Sequence, residues 1–218
     1  MRLIFSFGLI FLSPLAFAQT AKDYFFPQPD KNLSVYKTIK SKGTVENGWI
    51  TKVYFKNKGD SALITTQSDG VARRNGNAID ANQVWEQLVK ITDKEILTSR
   101  VKARTPNGVE TFESEGDIVF RIPQGSSKKT EWENSGQKGT MIETHLSEFS
   151  KVRVNGKRIK AIKVTTFLKR KRTGKRENFY VDYYVEGIGR YKRTTPRKNM
   201  VIEILADQKY DPNPPIVR

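Results

Sequence analysis

Val152-Arg153-Val154-Asn155-Gly156-Lys157 opens the stretch that decides the fold, and residues 159–168 return from it. Asn-Gly between alternating apolar residues is the strongest short hairpin signal, because a two-residue turn needs positive φ at both central positions. Thr173-Gly174 reverses the chain again, just after Lys169-Arg170-Lys171-Arg172. In the next run Phe179, Val181, Tyr183 and Val185 share one face and Tyr180, Asp182 and Tyr184 the other, since strand side chains alternate. Gly187-Ile188-Gly189 is expected to bend or bulge this strand before Arg190-Tyr191-Lys192. Residues 200–205 are expected to close the sheet, and 211–218 to form an irregular tail. The predicted fold is mainly β: a single curved antiparallel sheet, a half or open barrel with few short helices, spanning residues 19–210.

Strand patterns continue upstream. Leu33, Val35 and Lys37 alternate with Ser34, Tyr36 and Thr38. Asn47-Gly48 precedes a strand at 49–56, and Lys58-Gly59-Asp60 turns the chain into 61–67. The polar, Gly- and Asn-rich residues 69–82 read as a long loop. Residues 84–92 fit two patterns: Val84, Leu88 and Ile91 suit a helix face, whereas Trp85, Val89 and Ile91 suit a strand. Further strands are expected at 96–104 and 117–122, with a turn at Thr105-Pro106-Asn107-Gly108 and a stop at Pro123 and Gly125.

Residues 151–198 also carry 17 Lys/Arg against Glu177, Asp182 and Glu186, a net +14 of the chain's +16. Lys169, Arg170, Lys171, Arg172, Lys175 and Arg176 crowd one hairpin tip and repel one another unless anions neutralise them. The expected electrostatic binding residues are Lys169, Arg170, Arg172, Lys175, Arg176, Arg190 and Lys192. Phe179, Tyr180, Tyr183, Tyr184 and Tyr191 are interleaved with this charge and could stack beside it. On the blander reading Phe179 and Tyr183 are core, and the Lys/Arg keep a β edge soluble.

The N-terminus has the form of an export signal. Arg2 is a short positive n-region, residues 3–12 are apolar, and Ala16-Phe17-Ala18 presents small residues for cleavage before Gln19. With Pro14 interrupting it, this run is short of the about 20 apolar residues a membrane helix needs. Residues 1–18 are therefore expected to be a signal peptide, and the mature chain a soluble periplasmic, extracellular or envelope protein with no transmembrane span. Cysteine is absent from the sequence, which excludes disulfides, a lipid on cysteine and thiolate metal sites. The 200 mature residues are enough to bury a core without such staples.

Three segments together resemble exported bacterial proteins of the DUF3108-like or LolA/LppX-like half-barrel group. They are Tyr24-Phe25-Phe26-Pro27 with Tyr36; Phe120-Arg121-Ile122-Pro123 with Gly125 and Trp132; and Val152-Arg153-Val154-Asn155-Gly156-Lys157, Ala161-Ile162-Lys163-Val164 and Tyr183-Tyr184-Val185-Glu186-Gly187-Ile188-Gly189-Arg190-Tyr191-Lys192. Arg190-Tyr191 stands where members carry an apolar pair, and the basic tip is more charged than theirs. The resemblance implies a curled antiparallel sheet, an envelope location and a concave apolar face that binds a lipid or hydrophobic ligand. It supplies no catalytic residue.

Enzyme motifs are sparse. His145 is the only histidine, and neither a Gly-x-Ser-x-Gly elbow nor a Gly-x-x-x-x-Gly-Lys loop occurs. Glu143, His145 and Ser147 share a strand face that could orient an imidazole, but ordinary polar alternation on a surface strand explains them too. Glu110, Glu113, Glu115 and Asp117 suit either a carboxylate pair or a solvated acidic loop. Gly187-x-Gly189 lacks the third Gly and the helix of a dinucleotide site. Trp49, Trp85 and Trp132 suit core or cavity wall. The sequence thus predicts a non-catalytic binding protein without cofactor or metal. Its concave face would take a lipid or other apolar ligand, and its cationic strands an anionic head group or envelope polymer. The alternative is a component of an envelope complex whose exposed β edges add to a protein partner; a hydrolase with an acidic pair is a third reading. With export expected, cytoplasmic nucleic acid is not expected as a partner, and envelope anions are expected in its place.

Overall fold

Asn155 at φ 48° and Gly156 at φ 79° form the expected two-residue turn. Around it, β10 (Met141–Val154) and β11 (Lys157–Arg170) pair without interruption from Val154↔Lys157 to Met141↔Arg170. The computed structural model describes residues 19–40, 50–69, 71–74, 77–80, 83–105, 108–125, 128–134, 141–195, 200–204, 210, 211, 213 and 215. Residues 1–18 and Trp49 lie outside them.

One short helix, α1 (Ala21–Phe25), precedes β1 (Leu33–Lys40), β2 (Ile50–Lys58) and β3 (Ser61–Asp69). Next come β4 (Val71–Arg74), β5 (Asn77–Asp80), β6 (Gln83–Ile91), β7 (Glu95–Thr105), β8 (Gly108–Arg121) and β9 (Lys129–Glu133). After the β10–β11 hairpin the chain ends in β12 (Arg176–Val185), β13 (Gly189–Thr195) and β14 (Met200–Ile204). Twelve strands form one antiparallel sheet in the order β8-β7-β6-β3-β2-β1-β14-β13-β12-β11-β10-β9. The sheet is two meanders, joined at its centre where β14 pairs with both β1 and β13.

This order forces curvature. Twelve flat strands about 4.8 Å apart would span about 50 Å, yet the two edge strands, β8 and β9, are separated in sequence only by residues 122–128. A link of that length reaches about 28 Å when fully extended. The sheet therefore curls until its edges meet through side chains. Asn134 Oδ1 accepts the Ile118 N–H at 2.9 Å, and Trp132 Nε1 donates to the Ile118 carbonyl at 3.1 Å. Among the described residues no backbone ladder joins β8 to β9, so the barrel stays open.

Several expectations need correction. Residues 69–82 hold a separate two-stranded sheet, β4–β5, where a loop was expected. Asn75-Gly76 between its two runs is the same hairpin signal as Asn155-Gly156, set in a polar stretch. β8 begins at Gly108, not at Asp117, which puts the acidic residues in an edge strand held by its ladder to β7. Gly187-Ile188-Gly189 reverses the chain outright: β12 ends at Val185, β13 starts at Gly189, and the Ile188 N–H donates to the Val185 carbonyl at 3.0 Å. Residues 83–91 settle as strand, with Val89 fully buried and Ile91 packed against the core.

Helix α1 has five residues, too few to persist alone. It is held at one end of the curled sheet by its backbone and its aromatic neighbours. The Ala21 N–H donates to the Asp93 carbonyl at 2.7 Å, and the Gly187 N–H to the Asp23 carbonyl at 2.8 Å. Phe25 stacks on Tyr184 with ring centres 5.7 Å apart, and Phe120 lies 4.6 Å from the same ring. Tyr24, Phe26, Ile96 and Val89 complete this buried end. At the other terminus Asn32 holds Asp211 like a strand partner, donating to its carbonyl at 2.7 Å and accepting its N–H at 2.6 Å.

Candidate ligand-binding cavity

Alternation along β2, β3 and β6 turns Val53, Phe55, Ile64 and Trp85 toward the inside of the curl, and Val164 on β11 faces them. With Phe25 of α1 at one end, these side chains wall a cavity of about 370 Å³. Thr51, Thr66, Ser68 and Gln87 share those strand faces, and the opposite wall is polar and aromatic, with Tyr180, Asp182 and Tyr184 from β12, Tyr36 from β1, and Arg190 and Arg193 from β13.

Two arginines three residues apart cannot share a face of a regular strand. The β12–β13 register passes from Tyr183↔Lys192 to Tyr184↔Arg190 and leaves Tyr191 over as a bulge. That extra residue re-aims the strand, so Arg190 and Arg193 both line the cavity. Tyr191 packs instead with the small cluster of Val154, Ala161 and Val185.

Arg193 and Asp182 form a bidentate pair, Nε to Oδ1 and Nη2 to Oδ2, both at 2.7 Å. The Asp182 side chain is 3% exposed. Burial opposes the Arg193 charge, but the Asp182 carboxylate outweighs burial and the arginine's pKa rises. Burial, reinforced by Asp182, likewise raises the Tyr184 hydroxyl, so it stays protonated. Arg190 is served differently. Its guanidinium lies 4.8 Å over the Tyr36 ring, and its buried Nε has no hydrogen-bond partner.

His145 sits beside this wall. Its Nδ1 is 3.0 Å from Thr166 Oγ1, its ring stacks on Trp132 with centres 5.0 Å apart, and its Nε2 is 3.4 Å from Asn134 Nδ2. Burial lowers its pKa to about 4, so the ring is neutral at pH 7. The surface-strand reading of Glu143, His145 and Ser147 is corrected here: His145 and Ser147 are buried, because β10 lies between β9 and β11 with that face turned inward.

The seven basic residues expected to bind anions do not form one site. Arg170, Arg172 and Lys175 are exposed together at the β11–β12 tip. Lys169 and Arg176 flank that tip but are held by β9 carboxylates, Lys169 by Glu133 at 2.8 Å and Arg176 by Glu131. Lys192 lies on β13 opposite Tyr183 and Glu203. Arg190 is inside the cavity. Phe179 is 43% exposed and so is not core; it is the odd residue of a second bulge, where β11–β12 pairing skips from Thr166↔Tyr180 to Phe167↔Asn178. The acidic residues Glu110, Glu113, Glu115 and Asp117 are spread along β8.

The sequence reading missed Asp182, Arg193 and Tyr36 as cavity residues. For Asp182 a signal existed: a lone acid between Tyr180 and Tyr184 on one strand face. For Arg193 there was none, because its direction depends on the bulge. Among the described residues no three His, Asp or Glu gather to hold a metal, and no helix is long and apolar enough to cross a membrane. No family model, curated protein or solved structure matches the chain.

Proposed function

We propose that the protein is an exported, non-catalytic binding protein that holds an apolar or amphiphilic ligand inside its curled sheet. Residues 1–18 are its cleaved signal on this reading, and kinship with the DUF3108-like and LolA/LppX-like half-barrels belongs to the same proposal. The observation that carries it is the cavity of about 370 Å³, with Val53, Phe55, Ile64 and Trp85 among small polar groups on the β2–β3–β6 side and charges at β12–β13. That volume lies in the range of small-molecule sites, which combine apolar walls with a few placed polar groups. The locked His145, bound by Thr166 and stacked on Trp132, favours a holding role over proton transfer.

The exposed Arg170, Arg172 and Lys175 supply the second half of the proposal, contact with an anionic envelope surface. Exposed charges of one sign attract such a surface in proportion to its charge and lose that attraction in salt. Addition of a partner strand at the β8 edge is disfavoured at Ile118, whose N–H and carbonyl are already taken by Asn134 and Trp132.

Native mass spectrometry of protein purified from an exporting host tests the interior reading. The expected spectrum contains a bound small molecule that denaturation releases; only apo-protein, with no uptake of a fluorescent apolar probe, would refute it. Co-sedimentation with vesicles containing about 30% phosphatidylglycerol tests the surface reading. Changing Arg170, Arg172 and Lys175 together to Gln is expected to abolish binding at about 0.1 M salt, and retained binding would remove the tip from the proposal.

A further inference from the structure

Three charged side chains line the cavity, and they do not cancel. Asp182 commits both carboxylate oxygens to Arg193. Among the described residues no carboxylate pairs with Arg190; it has Tyr36, over whose ring it lies and with whose hydroxyl it shares a hydrogen bond, and its buried Nε has no hydrogen-bond partner. The lining therefore carries one cation beyond its anions. Arg190 is half-buried at the cavity, and a guanidinium is suited to a carboxylate, which it binds through two parallel hydrogen bonds. The bulge at Tyr191 is what turns Arg190 inward.

Volume restricts what can accompany the charge. The cavity's 370 Å³ lies near the low end of the about 300–1,000 Å³ of small-molecule sites. The lining from β2, β3 and β6 offers Val53, Phe55, Ile64 and Trp85 to an apolar body, with Thr51, Thr66, Ser68 and Gln87 among them.

We propose that the cavity binds a small monocarboxylate with an aromatic or short aliphatic body, its carboxylate on Arg190 and its apolar end toward Trp85 and Phe55. This rests on the interior-binding reading and names the ligand class for it. Arg193 does not compete for the carboxylate, because Asp182 already occupies it.

The test is calorimetric titration of the wild-type protein at pH 7 with 4-phenylbutanoate and with its neutral amide. The carboxylate is expected to bind about tenfold or more tightly than the amide, the value of one charged hydrogen-bonded contact. Arg190→Gln is expected to bring the two affinities together by weakening the acid alone, while the tip variant Arg170→Gln/Arg172→Gln/Lys175→Gln leaves both unchanged. Equal wild-type affinities would overturn the Arg190 anchor and leave interior binding standing. No binding of either compound would overturn both. Loss of acid binding in the tip variant would place the carboxylate on the surface and overturn the proposal, as would hexadecanoate binding more tightly than 4-phenylbutanoate. The wild-type comparison needs no variant, so it stands even if Arg190→Gln fails to fold.

Discussion

His145 is neutral because burial works against its charged form and holds its pKa at about 4. The unfolded chain has an ordinary histidine with pKa about 6.5. Below pH 6.5 the unfolded state takes up a proton that the folded state refuses, so stability falls as pH drops toward 4. Between pH 7 and pH 5 the loss is expected to be about 2 kcal/mol. Urea denaturation at both pH values measures it, and His145→Gln should remove most of the difference. An unchanged slope in that variant would mean another group titrates. Glu148, whose pKa is lowered first by the Lys163 hydrogen bond, destabilises in the same direction, but only below the ordinary carboxylate range.

Asp182 is the second residue whose role can be measured. Removing it leaves Arg193 half-buried beside Tyr180 without its carboxylate. Asp182→Ala is expected to cost about 3 kcal/mol by urea denaturation, whereas Asp182→Leu with Arg193→Met should recover most of it. If the double variant is no better than the single one, the pair is not the unit that matters. The shared face of Tyr180, Asp182 and Tyr184 was legible from alternation. Which face is inside was not, because Phe179 and Val181 make the opposite face look more apolar than it is buried.

At the scale of elements, turns were the most readable features. Asn155-Gly156 announces the β10–β11 hairpin because few residue pairs accept positive φ twice in succession. Gly189 carries more than a turn. Its φ is +82°, and a Cβ there would lie 2.9 Å from the Phe25 carbonyl oxygen, so the β12–β13 reversal is also the seat of α1. Gly174, at φ +65° with open space around it, is the control. Gly174→Ala is expected to cost about 1 kcal/mol. Gly189→Ala should cost about 1–3 kcal/mol more, from overpacking against backbone. It should also speed amide exchange at residues 21–26 specifically; equal costs at both glycines would contradict this account. The β4–β5 ribbon was legible in one respect, the Asn75-Gly76 pair between its two runs. The first half of β8 was not, because an edge strand held by its ladder to β7 needs no apolar period.

For the whole molecule, charge and curvature are the governing quantities. Residues 151–198 carry +14 of the chain's +16, and repulsion among those groups opposes folding until salt screens it. The melting temperature is accordingly expected to rise by several degrees between about 10 mM and 0.3 M NaCl. The Gln variant of Arg170, Arg172 and Lys175 should show a shallower rise. A melting temperature that falls with salt would show that pairs such as Lys169–Glu133 outweigh the repulsion.

By itself the sequence determined the β class, most of the strand positions, the hairpin turns and the concentration of positive charge. Each follows from short-range rules, the two-residue period of a strand and the few residues that tolerate positive φ. Only the tertiary structure decided that Arg190 and Arg193 point inward, that Asp182 neutralises just one of them, and that a cavity remains between the walls. Those outcomes depend on a one-residue register shift at Tyr191 and on how far twelve strands curl before Trp132 and Asn134 reach Ile118. Register and curl are settled by contacts between residues far apart in the chain, and such contacts leave no local pattern to be read.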